Sequence, residues 1–220
     1  MRDLNQSIIK FNYDQNFTDD DFYVSKSNEH IFSFLNKWPK WDKNFLNIVG
    51  EKFSGKTHLS NIFIKKFKGI KLNSSSLTND DLIKIKIYEN IILEDLNKNI
   101  DENLLYSLLN IVDLDNKFII VTSDVPIVNI DFSLKDLKSR TKNFLLQNIE
   151  KPDDNLIFAL ILKNLSDRQI SLDKKLIDFI IKRINRSYSK IFEFIYKVDE
   201  LSLKIKKTIN FKIIKEVLGE

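Results

Sequence analysis

Cysteine is absent from this 220-residue sequence, and histidine occurs only twice, as His30 and His58. Disulfides, thiolate metal sites and cysteine nucleophiles are therefore excluded, and a metal site would need oxygen ligands. No apolar run approaches the roughly 20 residues that cross a bilayer, so we expect no membrane partner. The first residues lack the basic start and apolar segment of a secretory signal, which predicts a cytoplasmic protein.

Arginine is also scarce, with five residues among 35 basic ones, and the formal net charge is only +4. Hydrophobic residues make up 43% of the chain and charged residues 30%, which predicts a globular protein with a substantial core. Residues 181–220 carry ten basic and five acidic side chains. We interpret this excess as a solvated helix surface, because the abundance of lysine, isoleucine and asparagine is typical of coding bias.

Glycine occurs four times, and two of the four frame the segment Gly-Glu-Lys-Phe-Ser-Gly-Lys-Thr at residues 50–57. This segment matches the phosphate-binding pattern G-x-x-x-x-G-K-[ST] in full. An apolar run at 45–49 predicts a strand before it, and apolar spacing at 57–68 predicts a helix after it. Gly50 and Gly55 are expected to adopt backbone conformations closed to other residues, so that N–H groups face phosphate oxygens.

Phosphate binding also predicts roles for side chains of the segment 50–57. Lys56 is expected on the β and γ phosphates of a nucleotide, and the Thr57 hydroxyl on Mg²⁺. His58 is better explained as a packing residue than as a catalyst, although it lies next to the nucleotide-binding residues. Ser54 completes the candidate cradle.

Two later strands end in polar side chains. The run at 90–96 places Glu94 and Asp95 after three apolar residues, which predicts Glu94 as a magnesium ligand and Asp95 as the group that polarises water. The run at 117–124 ends in Ser123 and Asp124, which are expected near the γ-phosphate or the attacking water. Arg140 ends a short helical segment, where a guanidinium can stabilise phosphate charge.

After Pro152 the pattern becomes helical, with apolar residues at helical spacing in 156–165, 172–184 and 191–203. Residues 209–218 fit a fourth helix or a short strand and helix. The sequence thus predicts a tail at 1–21, an α/β domain with a parallel sheet at 22–150, and a small helical domain at 151–220.

Four motifs together resemble the AAA+ module of the DnaA-related family. They are the segment 50–59 with its Lys-Thr-His-Leu ending, Leu-Glu-Asp-Leu at 93–96, Thr-Ser-Asp-Val-Pro at 122–126 and Asp-Leu-Lys-Ser-Arg at 136–140. The resemblance covers residues 22–218. It implies an α/β AAA+ P-loop fold with helices on both faces of the sheet, an all-α lid at 151–220, and bound ATP or ADP with Mg²⁺. DnaA carries further domains on both sides of this module, for which 220 residues leave no room, so the resemblance points to the shorter Hda-type regulators.

Residue roles follow from the resemblance. Arg140 would be an arginine finger offered to the nucleotide of a neighbouring DnaA, whose ATP hydrolysis it would stimulate to prevent a second initiation. Ser123 and Asp124 would form the first nucleotide sensor, and Lys190 stands where the family has a second-sensor arginine. Glu94 stands where the family more often has aspartate, so whether this chain hydrolyses ATP by itself stays open.

The N-terminal segment is similar to the peptide by which Hda-type proteins bind the sliding clamp, the β subunit of DNA polymerase III. Its candidate contact residues are Gln6, Ile8, Ile9 and Phe11. Binding to DNA would then be indirect, through the clamp, and the protein would be associated with the nucleoid. A homo-oligomer is also compatible with the family.

Two other functions stay open on the sequence. A self-sufficient AAA+ ATPase, such as a helicase loader, would turn over ATP in a reaction that needs Lys56 and Asp95. A non-catalytic adaptor would bind ADP as a structural ligand and leave the hydrolysis of other proteins unchanged.

Overall fold

Five parallel strands form the sheet of the computed structural model, which describes residues 22–168, 170–205 and 209–219. In chain order the strands are β1 Phe45–Val49, β2 Ile70–Asn73, β3 Asn90–Leu96, β4 Phe118–Ser123 and β5 Leu145–Asn148. Their order across the sheet is β2-β3-β4-β1-β5, and every neighbouring pair is parallel. The carboxyl ends of all five therefore lie along one edge, where ligands of open α/β sheets bind.

Nine α-helices are present in the described part of the chain. The first five alternate with the strands: α1 Glu29–Leu35, α2 Lys56–Phe67, α3 Asn79–Lys84, α4 Glu102–Leu114 and α5 Lys135–Thr141. The last four follow the sheet and are called the lid here: α6 Asp154–Ser166, α7 Lys174–Ile181, α8 Tyr188–Ile205 and α9 Phe211–Leu218. Within the ranges described, no helix has the length and apolarity needed to span a membrane.

The predicted fold class is confirmed, with helices on both faces of a parallel sheet and an all-α segment after it. β1 has the predicted bounds, and α2 begins at Lys56, one residue before its predicted start. The segment 209–218, for which the sequence allows a helix or a strand with a helix, forms α9, capped by the Asn210 side chain. Capping explains this choice, because the amide oxygen of Asn210 accepts from two backbone N–H groups of the first turn.

Three apolar cores account for the layers. One core packs α4 and α5 on one face of the sheet, and a second packs α1 and α2 on the other face. The third lies inside the lid. Leu156 and Tyr188 belong to the second core although they lie in lid helices, so the lid shares apolar contacts with the sheet layer.

Asn47 is a buried polar side chain in the middle of apolar β1, with no exposed surface. Its amide nitrogen donates to the Val121 carbonyl at 3.0 Å and to the Ser123 hydroxyl at 2.9 Å, and its oxygen accepts from the Ile127 N–H at 2.8 Å. These bonds join β1 to the end of β4 and to the turn that follows it. Asn47 therefore positions the polar residues at the carboxyl edge.

Replacing this residue, Asn47→Ala, should lower the free energy of unfolding by roughly 2 to 4 kcal/mol, because three buried polar groups each lose a hydrogen bond. Urea denaturation measures the change. The matched variant Asn36→Ala, at an exposed position, should cost less than about 0.5 kcal/mol. Equal losses in the two variants would contradict the role given to Asn47.

Tyr188 begins α8 and connects the lid to the chain segment after β5. Its side chain is buried, and its hydroxyl donates to the Glu150 carbonyl at 3.0 Å. Burial raises the pKa of Tyr188 to about 12, because the phenolate would lose its hydration. Since the folded pKa lies above the ordinary value of 10.0, this group stabilises the fold fully below pH 10.0 and ceases to do so as the pH rises through about 12.

An alkaline titration followed by tyrosinate absorbance should therefore show a late ionisation step that is absent from Tyr188→Phe. The variant Tyr196→Phe, which removes an exposed phenol, should retain that step. Loss of the late step from the Tyr196 variant alone would show that the buried phenol had been assigned wrongly.

Candidate functional site

The loop between β1 and α2 has the geometry of a phosphate cradle. Phe53 and Gly55 have positive φ angles of 69° and 95°, and left-handed residues of this kind occur in loops whose backbone N–H groups bind anions. The loop leads directly into the first turn of α2, whose N–H groups and partial positive charge favour an anion. The strand, loop and helix thus follow one another as the motif predicts.

Gly50 plays a different part from the one predicted, since its φ is not among the positive ones. A Cβ atom at this position would clash with the Ser54 hydroxyl oxygen and lie 3.1 Å from the Ile149 Cβ. Close approach therefore requires glycine here, whereas the left-handed conformation falls on Gly55 and, unexpectedly, on Phe53. The expectation that Gly50 supplies an unusual backbone conformation was wrong.

Lys56 is 7% exposed, and its ammonium group is held by three oxygens. It donates to the carbonyls of Gly50 at 2.6 Å and Glu51 at 3.2 Å, and to the Asp124 carboxylate at 2.9 Å. Asp124 itself is largely exposed, with 72% of its side chain accessible. The structure thus brings together Lys56 and Asp124, two residues that the sequence assigned to the same site.

Ser123, the neighbour of Asp124, faces inward. It is 1% exposed, and its hydroxyl accepts from Asn47 and donates to the Val125 carbonyl at 2.6 Å. Its hydroxyl therefore joins β1 and β4, and its contribution to the site is to fix the backbone that carries Asp124.

Glu94 lies at the carboxyl end of β3 with 7% exposure. Its Oε2 is 3.3 Å from the Lys71 ammonium, whereas its Oε1 is buried and has no hydrogen-bond partner in the protein. The Ser54 hydroxyl is likewise buried without a partner. A carboxylate oxygen that lacks a partner fits the coordination of a magnesium ion or its water, while the ion pair with Lys71 competes for the same carboxylate.

In residues 22–168, 170–205 and 209–219, no three acidic or histidine side chains come together as a metal site. A magnesium ion at this edge would therefore depend on one carboxylate, a hydroxyl and the phosphates of its nucleotide, which is how many nucleotide sites hold it. Thr57, which is half-buried in the first turn of α2, is the candidate for this hydroxyl.

A bulge in β3 turns Asp95 away from Glu94. Asp95 has a φ of 56°, its N–H donates to the Thr122 hydroxyl at 3.0 Å, and its side chain is exposed. Asp95 and Asp124 both line a cleft of about 420 Å³ at the carboxyl ends of β3 and β4. Asp95 and Asp124 thus share one cleft, and Asp124 connects it to the phosphate loop through its contact with Lys56.

Aromatic packing surrounds His58. The Phe22 ring meets the His58 ring edge-on at 5.2 Å and stacks on Phe32 at 5.8 Å. A Cβ atom at Gly55 would lie 3.4 Å from Phe22 Cε2, so this ring also borders the phosphate loop. The contacts agree with the packing role expected for His58.

Glu51 is a functional candidate that the sequence interpretation missed. Its carboxylate accepts from the Tyr188 and Ser189 N–H groups at 3.1 and 3.2 Å and makes a short hydrogen bond with the Ser187 hydroxyl. Partial burial acts to raise the pKa of Glu51, but these hydrogen bonds outweigh it and hold the pKa below its ordinary value. Glu51 occupies a variable position of the phosphate-binding motif. The motif therefore gave no signal that this residue contacts residues 136 to 138 positions later in the chain.

Lys190 lies in the first turn of α8 and is exposed. Its ammonium pairs with Glu193 at 2.8 Å, and 59% of its side chain is accessible. The Glu193 carboxylate also pairs with Lys197, and the two lysines lower the pKa of Glu193 to about 2. To reach a nucleotide, Lys190 would have to leave this ion pair.

Arg140 lies on α5, which leads to the amino end of β5, whereas the phosphate loop follows the carboxyl end of β1. Its guanidinium is 3.2 Å from the Asp113 carboxylate and 5.3 Å from the centre of the Tyr106 ring. Arg140 and Lys56 are therefore attached to opposite edges of the sheet, and 29% of the Arg140 side chain is accessible. The clamp-binding candidates Gln6, Ile8, Ile9 and Phe11 lie outside the described residues.

No protein-family model matches this sequence. It is 26% identical over 225 residues to the chromosomal replication initiator protein DnaA of Buchnera aphidicola subsp. Cinara cedri, across 90% of this chain and 52% of that protein. It is 23% identical over 254 residues to DnaA of Thermoanaerobacter sp., across 100% of this chain and 57% of that protein. The chain thus spans about half the length of these curated relatives.

Solved structures show the same fold. Domain III of the Thermotoga maritima initiator DnaA superposes with a TM-score of 0.73 at 19% identity, covering 96% of this chain and 98% of that one. AMPPCP-bound DnaA from Aquifex aeolicus gives 0.67 at 21% identity over 87% and 69% of the two chains. The Thermotoga maritima RuvB Holliday junction branch migration motor gives 0.65 at 14% identity over 89% and 69%. The fold is the P-loop AAA+ fold, and the sequence similarity supports a DnaA-related family within it.

Proposed function

We propose that this chain binds an adenine nucleotide, ATP or ADP, in the loop between β1 and α2. The observation that carries the proposal is the nearly buried Lys56 ammonium, held at the mouth of the loop by two carbonyls and Asp124. Phosphate oxygens can replace the loop carbonyls as partners of this ammonium and gain the N–H groups of the loop as donors. Similarity to AMPPCP-bound DnaA supports adenine as the base.

Thr57 and Glu94 are the residues that would hold magnesium beside the phosphates. A bound magnesium ion would neutralise phosphate charge at this edge. Asp95, exposed in the shared cleft, is assigned to orient water, and the Phe22 ring beside Gly55 is a candidate surface for the base. The pair between Glu94 and Lys71 favours slow turnover by the chain itself.

We further propose that the chain acts as a DnaA-related regulator of replication initiation, which stimulates ATP hydrolysis by DnaA while bound to the sliding clamp. Arg140 would supply the finger. Its distance from the chain's own loop supports use on a neighbour's nucleotide, since α5 leads to the opposite edge of the sheet. The residues at 6–11 would bind the clamp, and contact with DNA would be indirect.

The nucleotide site is tested by calorimetric titration with ADP and Mg²⁺. The variant Lys56→Ala should bind ADP roughly thirtyfold more weakly, because a charge-assisted hydrogen bond of about 2 kcal/mol is lost. Lys65→Ala, an exposed lysine on the same helix α2, should bind like the wild type. Unchanged affinity in Lys56→Ala, or failure of the wild type to bind ADP, would refute the assignment.

The regulatory role is tested with cognate DnaA preloaded with labelled ATP and mixed with this protein and DNA-loaded clamp. Acceleration of hydrolysis by the wild type should fall by about 10³-fold or more in Arg140→Ala. Arg168→Ala is the matched control, because Arg168 also pairs with an aspartate and has a similar exposure of 28%. Deletion of residues 1–11 should also abolish the acceleration.

The outcomes separate the remaining functions. If a preparation that binds ADP does not accelerate DnaA, the regulatory role is wrong. ATP turnover by this chain alone that is lost in Lys56→Ala and Asp95→Asn would then indicate a loader-type ATPase. Thermal stabilisation by ADP without turnover would indicate an adaptor.

A further inference from the structure

The phosphate loop is joined to the lid by the side chain of Glu51. Its two carboxylate oxygens accept from three donors in the first turn of α8: the Ser187 hydroxyl and the N–H groups of Tyr188 and Ser189. The Ser189 hydroxyl donates in return to the Lys52 carbonyl at 3.5 Å. A residue of the loop thus acts as the cap of a helix that begins 137 residues later.

Glu51 places a negative charge in the loop that is proposed to bind phosphate. A carboxylate inside an anion-binding loop repels the phosphates that the loop receives, unless its charge is directed elsewhere. The first turn of α8 offers unpaired N–H groups and the positive end of an 18-residue helix dipole. The lid therefore stabilises the Glu51 charge while its carboxylate is hydrogen-bonded to the start of α8.

A second contact fixes the same part of the loop. Phe53, held at a φ of 69°, stacks on Phe192 of α8 with ring centres 4.9 Å apart and an interplanar angle of 26°. Positive φ at a residue with a large side chain is costly and persists where neighbouring contacts hold it. The side chains of Glu51 and Phe53 contact the lid. The same loop contains Gly50, Gly55 and Lys56, which belong to the proposed phosphate site.

We propose that Glu51 is a positioning residue that couples the phosphate loop to the lid, so that nucleotide affinity and docking of α8 are one equilibrium. The inference rests on the proposed nucleotide site. Docking holds the backbone of the loop in its phosphate-binding shape and keeps the carboxylate away from the phosphates. By linkage, a bound nucleotide must favour the docked lid by the same factor by which docking favours the nucleotide.

The 220-residue chain is titrated with ADP and Mg²⁺ as wild type, Glu51→Ala, Glu51→Gln and Ser187→Ala. Glu51→Ala should weaken ADP binding about tenfold, and Glu51→Gln, which retains one acceptor oxygen, should have a smaller effect. Ser187→Ala leaves the charge in place with one donor fewer and should weaken binding about threefold. If Glu51→Ala does not fold, the Gln and Ser187 variants carry the test.

Hydrogen exchange at the first turn of α8 reports the other side of the coupling. Saturating ADP should slow exchange of the Tyr188 and Ser189 amides in the wild type, and this slowing should be lost in Glu51→Ala. Glu102→Ala is the matched control, because its carboxylate also accepts backbone N–H groups of a distant segment, at Ser133 and Leu134, which belong to neither the loop nor the lid. It should alter neither measurement.

Two failures are distinguishable. If the wild type does not bind ADP, the proposed function itself is wrong. If the wild type binds ADP and depends on Lys56, but the Glu51 and Ser187 variants bind within about twofold of it and their α8 amides respond to ADP unchanged, the coupling is overturned and Glu51 is only a helix cap.

Discussion

The nearly buried charge of Lys56 constrains the rest of the structure. An ammonium removed from water is costly unless oxygens surround it, and here two come from the loop and one from Asp124. Asp124 reaches Lys56 only because β4 is the direct neighbour of β1, with Val49 opposite Ser123. The strand order separates β1 from β2 and places β4 beside β1, and this arrangement completes the site.

Three consecutive polar residues at the end of β4 each bind a different element. Thr122 accepts from the backbone of β3 at Asp95, Ser123 pairs with Asn47 of β1, and Asp124 binds Lys56 of α2. Alternation of side chains along the strand directs neighbouring residues to opposite faces, and so distributes these contacts. The end of β4 thus connects β3, which carries Asp95, to β1 and α2, which flank the phosphate loop.

The sequence predicted the elements with strong local signals and missed those without them. β1 and α2 flank the glycine motif, and β3 and β4 are apolar runs that end in polar residues, so the bounds of all four fall within about one residue of expectation. β2 has only four residues, Ile-Lys-Leu-Asn, and pairs with just one neighbour, so its pattern is too short to identify. The contact of Glu51 with α8 is invisible in sequence, because it depends on how the lid packs rather than on spacing.

Two features on opposite edges of the sheet bear on the proposed function. At the carboxyl edge, Glu94 already binds the Lys71 ammonium, so a magnesium ion at this carboxylate would compete with another cation. At the amino edge, Arg140 lies on the α4 surface against Tyr106 and Asp113, away from the chain's own loop. The Glu94–Lys71 ion pair and the position of Arg140 are each uninformative alone. Together they support the proposed regulator, which would retain its own nucleotide and act on that of a neighbour.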